Sequence, residues 1–163
     1  MSAILRASGS EFDVDSFVKE SSLTINTIYR VGDPVRPTVD PEGRKLGSSG
    51  LSVVVSEIDF DDYEQQLEEA FFFMRDNLEE LIRLSGFPGL QSLSIDFGAN
   101  IYPPGWCTFR FPNPLLRMAG QAKVDLELSV YPTETDDNSE SDGRREELDD
   151  AYQEFLAQQT KSG

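Results

Sequence analysis

Asp59 to Leu84, DFDDYEQQLEEAFFFMRDNLEELIRL, is the longest strongly periodic stretch of the chain, and its reading decides the fold. Phe60, Tyr63, Leu67, Ala70, Phe71, Met74, Leu78 and Leu81 recur at spacings of three and four, which on one α-helix forms a single apolar stripe. That stripe is expected to lie on a sheet. Phe72 and Phe73 belong to the same stretch but point about 150° and 110° away from the stripe centre at 100° per residue. On a helix surface Phe72 neighbours Glu68 and Asp76, and Phe73 neighbours Glu69 and Asn77, so at least one ring stands among acids. Aromatic rings ringed by charge are expected either at an interface or under another part of the same chain.

Sheet strands are expected on both sides of this helix. Ala3 to Ala7 (AILRA) is a short apolar run closed by Ser8-Gly9-Ser10. A first helix follows, with Asp13 as N-cap and Phe12 and Phe17 placed as a hydrophobic staple. Leu23 to Arg30 (LTINTIYR) and Ser49 to Val55 (SGLSVVV) are rich in β-branched residues and read as strands. Between them, Val31 to Gly47 holds Pro34, Pro37 and Pro41 with Gly32, Gly43 and Gly47 and is expected to be a long loop. Arg36, Arg44 and Lys45 make it the one basic concentration in the chain.

Beyond the long helix, which is expected to stop at Gly86, Leu93, Ile95 and Phe97 alternate with polar residues in a fourth strand. Trp106 to Phe111 (WCTFRF) reads either as its continuation or as a hairpin partner. Asn113-Pro114 starts a short helix ending near Gly120, and Val124, Leu126, Leu128 and Val130 mark a last strand with one polar face. The expected fold class is α+β: an antiparallel-rich sheet with helices on one face, close to a ferredoxin-like arrangement. This core covers 1–132. An acidic linker over 133–146 and an amphipathic C-terminal helix over 147–159, with Leu148, Ala151, Tyr152, Phe155 and Leu156 at helical spacing, complete the expected organisation.

Composition narrows the chemistry. The 163 residues carry a net charge of −16 and no histidine, so histidine-based triads, general-base schemes and metal sites are excluded. The single cysteine, Cys107, suits a reducing compartment, and no run approaches the roughly 20 apolar residues of a membrane helix, so a cytoplasmic, soluble protein is expected. An acidic surface disfavours nucleic acid and anionic membranes and favours a cationic partner. No phosphate loop or dinucleotide fingerprint occurs. Asp59, Asp61 and Asp62 are accounted for by a helix start, so no cofactor or metal is expected.

Ile4-Leu5-Arg6-Ala7-Ser8-Gly9 with Glu11-Phe12-Asp13, the Tyr29-Arg30-Val31-Gly32-Asp33 segment, Ser48-Ser49-Gly50, and Phe111 to Gly120 leading into Val124-Asp125-Leu126 resemble a family of small bacterial α+β domains. Some relatives of that kind look like immunity proteins, which neutralise a toxin. The resemblance covers roughly residues 3 to 131 and implies a fold and a binding role, with no catalytic residues to transfer. The expected function is therefore non-enzymatic: an immunity-type protein that occludes a basic toxin domain through Phe72, Phe73, Glu68, Glu69 and Asp76, with Tyr102 and Trp106 as a second aromatic patch. A second copy of the chain is another candidate partner. The alternative is a small-molecule-binding or regulatory domain in which Arg36, Arg44 and Lys45 close over an anion.

Overall fold

A computed structural model describes residues 3–103, 105 and 107–133. Its centre is β1 (Ala3–Gly9), in which Ala3, Leu5 and Ala7 are buried while Arg6 between them is exposed. That parity is transmitted across the sheet by register. Leu5 stands opposite Val53 of β5 (Ser49–Ser56) and Ile95 of β6 (Ser92–Ile101), and Ile95 stands opposite Leu126 of β7 (Asp125–Pro132). One face therefore gathers Leu51, Val53, Leu93, Ile95, Phe97 and Ala99 into the core. The opposite face is polar, with Arg6 paired to Asp96 at 3.6 Å and the Ser129 hydroxyl donating to Asp96 at 2.7 Å.

With β2 (Thr27–Tyr29) on the outer side of β5, the sheet order is β2-β5-β1-β6-β7. The first three pairings are antiparallel and the last is parallel, so the α+β, antiparallel-rich expectation is met by a mixed sheet. The alternation of β7 was visible in the sequence; its direction was not, because it is set by the crossover helix that precedes it.

Among the described residues four helices accompany this sheet. In α1 (Val14–Glu20), the Asp13 side chain accepts from the Ser16 backbone at 3.1 Å, and Phe12 packs 6.1 Å from Phe17, as the staple requires. The long helix is two: α2 (Tyr63–Asp76) and α3 (Leu78–Ser85). Between them Asn77 takes φ −117°, and both its backbone N–H and its side-chain amide donate to the Phe73 carbonyl, at 3.0 and 2.8 Å. An asparagine that turns its amide onto the preceding turn ends the regular ladder there. The stripe survives the break, since Leu67, Ala70, Met74, Leu81 and Leu84 are all buried. The N-cap is Asp62, accepting from Gln65, so Phe60 lies ahead of the helix; its ring stacks on Tyr131 at 4.9 Å and rests where a Cβ on Gly98 would otherwise sit. Finally α4 (Asn113–Ala122) runs past Gly120 and closes on Lys123 in the left-handed region, φ 54°. It packs against α2 and α3.

Three expectations need correction. The 31–47 stretch is not a loop throughout but holds a hairpin, β3 (Pro34–Arg36) with β4 (Asp40–Lys45), in which Pro34 takes the first position of a strand, where a missing N–H is tolerated. The Leu23 to Arg30 strand shortens to three residues because Asn26 uses its side chain, accepting from Val54 N–H at 2.6 Å. The described part of 106–111 is not a strand. The expected linker and C-terminal helix lie outside the described residues. Among the described residues no helix is long and apolar enough to cross a membrane.

Candidate functional site

Phe72 sits on α2 two positions before Met74, a core residue, and so must face away from the sheet. It is 41% exposed, and the Phe71 ring meets it edge-on at 5.6 Å. The two rings form one end of a groove of about 680 Å³. Leu67 is its buried floor; Glu64 and Glu68, one turn apart on α2, line one side; Arg110 and Pro112 from the approach to α4, with Pro114 in its first turn, line the other. The groove exists because α4 packs on α2 while Pro112, its N-cap, holds an extended conformation. Glu64 and Glu68 are like charges at i, i+4, an arrangement that costs the helix a few tenths of a kcal/mol and is relieved by a cation. Arg110 has no ion pair among the described residues.

The surroundings of Phe72 are not purely acidic. The Arg75 guanidinium stands 4.8 Å from the ring centroid and donates to Asp76 at 2.7 Å, which holds the Asp76 carboxyl below its ordinary range. Phe73 is half-buried and packs against the core, and Glu69 is half-buried and outside the groove lining. Tyr102 lies elsewhere: 53% exposed, it donates to Asp61 at 2.6 Å beside the Asn100 amide at 2.9 Å. These two bonds depress the Asp61 carboxyl and fasten the end of β6 to the approach of α2. Trp106 lies outside the described residues. The structure thus brings Phe72 and Glu68 together with Arg110, Pro112 and Pro114, which the sequence reading did not single out. The one sequence signal near the second wall was the Asn113-Pro114 helix start, and the packing partner of that helix was not readable.

In the basic hairpin, Arg36 and Arg44 line a small hollow of about 250 Å³ together with Val35 and Asp40. Lys45 donates to its own hairpin at the Pro41 carbonyl, 2.6 Å away. Cys107 is exposed, and no group of three or more metal-ligating side chains is assembled among the described residues.

A further polar cluster, centred on Glu80, carried no signal in the sequence. Glu80 accepts from Arg83 at 2.8 and 2.6 Å, from the Ser21 hydroxyl at 2.6 Å and from Ser22 N–H at 3.3 Å. The Arg83 bonds chiefly, with Ser21, bring its carboxyl down to about 2. Arg83 in turn lies 4.3 Å over the Phe17 ring, so this cluster ties α1 to α3 and is structural. Compared with models of known protein families, with curated proteins and with solved structures, the chain matches none.

Proposed function

We propose that the protein is a non-enzymatic, immunity-type inhibitor whose α2–α4 groove receives an apolar, positively charged segment of a toxin domain. The observation that carries this reading is Phe72, a large ring left exposed at the mouth of an apolar groove whose α2 side is two carboxylates. A cation placed between Glu64 and Glu68 relieves their repulsion, and an apolar side chain over Leu67 and Phe71 displaces water from the floor. The net charge of −16 supports steered encounter with such a partner. Inhibition is by occlusion: charge sets the rate of arrival, and Phe72 the rate of departure.

The immunity assignment also draws on fold class. We assign the core as ferredoxin-like on the chain order β1-α1-β2-β5-α2-β6, whose strands lie side by side as β2-β5-β1-β6 with every neighbour antiparallel. The β3–β4 hairpin is then an insertion, and α4-β7 an addition at one edge. The alternative, an anion-binding domain, rests on the Arg36–Arg44 hollow; Asp40 in the same wall already supplies a negative charge there and weakens it.

The test is the affinity of the purified chain for the toxin-like product of the adjacent coding sequence. Phe72→Ala is expected to weaken that complex by about 10- to 100-fold through faster dissociation, as for a central aromatic anchor. Glu68→Lys is expected to slow association and to reduce its salt dependence. An affinity unchanged by Phe72→Ala would sink the assignment to this groove.

A further inference from the structure

The β3–β4 hairpin is the counterpart of the groove in charge and in exposed apolar surface. It forms a two-stranded sheet apart from the five-stranded one, and such a ribbon is marginal in water unless something covers it. Its valines are not covered by the described residues: Val35 is 45% exposed, and Val39, in the three-residue tip Pro37 to Val39, is 80% exposed. Register sets Arg36 on one strand opposite Asp40 on the other, at the base of that tip. Neither has an ion pair among the described residues. The groove repeats this arrangement with the signs reversed. Glu64 and Glu68 stand on one wall and Arg110 on the other, and these three also lack ion pairs among the described residues.

We propose that the hairpin of one copy of this chain enters the α2–α4 groove of a second copy. Val39 lies over the Leu67 floor against Phe72, Arg36 meets the two carboxylates, and Asp40 meets Arg110. The groove runs about 12 Å along α2 from Glu64 to Phe72, and the two strands of the ribbon lie about 5 Å apart. The tip therefore enters with one charged side chain toward each wall. Two acids and a base receive two bases and an acid, because Arg44 lines the same hollow as Arg36 and Asp40.

Each copy carries a net charge of −16, so the contact works against overall repulsion and is weak, with Kd on the order of 0.1–1 mM. The contact rests on the groove and the hairpin and needs no toxin; where the function proposed above holds, a cationic partner displaces the hairpin from the ring of Phe72.

Sedimentation equilibrium of the full chain in about 0.15 M NaCl, at protein concentrations from about 0.01 to 2 mM, tests the contact without a partner. The average mass is expected to rise with concentration. Glu68→Arg and Arg36→Glu are each expected to weaken association about tenfold. An equimolar mixture of the two variants is expected to recover association to within about threefold of the original chain, since hairpin and groove of unlike variants again carry opposite signs. Overall repulsion alone predicts a different order, because Glu68→Arg reduces the net charge from −16 to −14 and would strengthen a non-specific contact. Both residues are exposed, so neither reversal disturbs the core, and an unchanged thermal midpoint verifies this. A chain that stays monomeric throughout, association that survives either reversal, or a mixture no more associated than its components would each overturn the proposal.

Discussion

Gln66 is fully buried on α2, and its amide donates at 2.9 Å to both the Asp59 and the Gly98 carbonyls. It holds the approach to the helix against the middle of β6, sharing the Asp59 carbonyl with the Asp62 N–H at 3.2 Å. Gln66→Leu is expected to cost about 1–3 kcal/mol in urea unfolding, because two hydrogen bonds to buried backbone are lost and the Asp59 carbonyl keeps only the Asp62 N–H. Tyr63, one turn earlier, is the opposite case. Its ring packs against Phe97, Phe109 and Phe111, and its hydroxyl is buried without a partner among the described residues, so Tyr63→Phe is expected to be neutral or stabilising by up to about 1 kcal/mol. Burial pushes the Tyr63 hydroxyl up to about 12. Between pH 10 and 12 the unfolded chain releases this proton while the folded chain keeps it, so stability falls as pH rises. The Phe variant should show a shallower alkaline decline; an unchanged decline would contradict the burial. Neither role was legible from sequence: Tyr63 counted as a stripe residue, and periodicity did not single out Gln66.

At the scale of elements, α1 is anchored to α3 through Glu80, and this makes an acid-sensitive joint. The folded carboxyl titrates at about 2 instead of 4.5, so its contribution is complete above pH 4.5 and is lost as pH falls toward 2. Glu80→Ala is expected to destabilise by about 1–2 kcal/mol at pH 7 and to flatten the acid limb of stability between pH 4.5 and 2. A parallel downward shift at every pH would exclude the ionic role. The pair Glu80 and Arg83 was visible as i, i+3, but Ser21 comes from 59 residues away and only the packing of α1 delivers it. The same limit explains the other element-scale differences. Parity along β6 and β7 and the stripe of α2 and α3 followed from periodicity alone. The Asn77 break, the β3–β4 hairpin and the parallel β7 depend on where a side chain turns or where a connection returns, which periodicity does not carry.

For the whole molecule the dominant feature is charge. Thirty acidic residues against 14 basic ones repel each other in the compact state, and added salt screens this. Thermal unfolding of the full chain is expected to rise by a few degrees between 0.01 and 0.3 M NaCl. Over the same range, association with a cationic partner should slow. Stability that falls with salt would mean that the few described ion pairs outweigh the net repulsion. At this scale the sequence was most informative about what is excluded and least about the groove, because α2 supplies only one of its walls.

The register of the sheet has one more consequence. Ala3 pairs with Phe97 and Pro132 with Ile101, so the first and last described strands open at the same end of β6. Force applied between those two points runs across the strands rather than along them, and loads the interstrand bonds one after another. Such a molecule peels like a zipper instead of resisting as a clamp: mechanically soft, whatever its equilibrium stability.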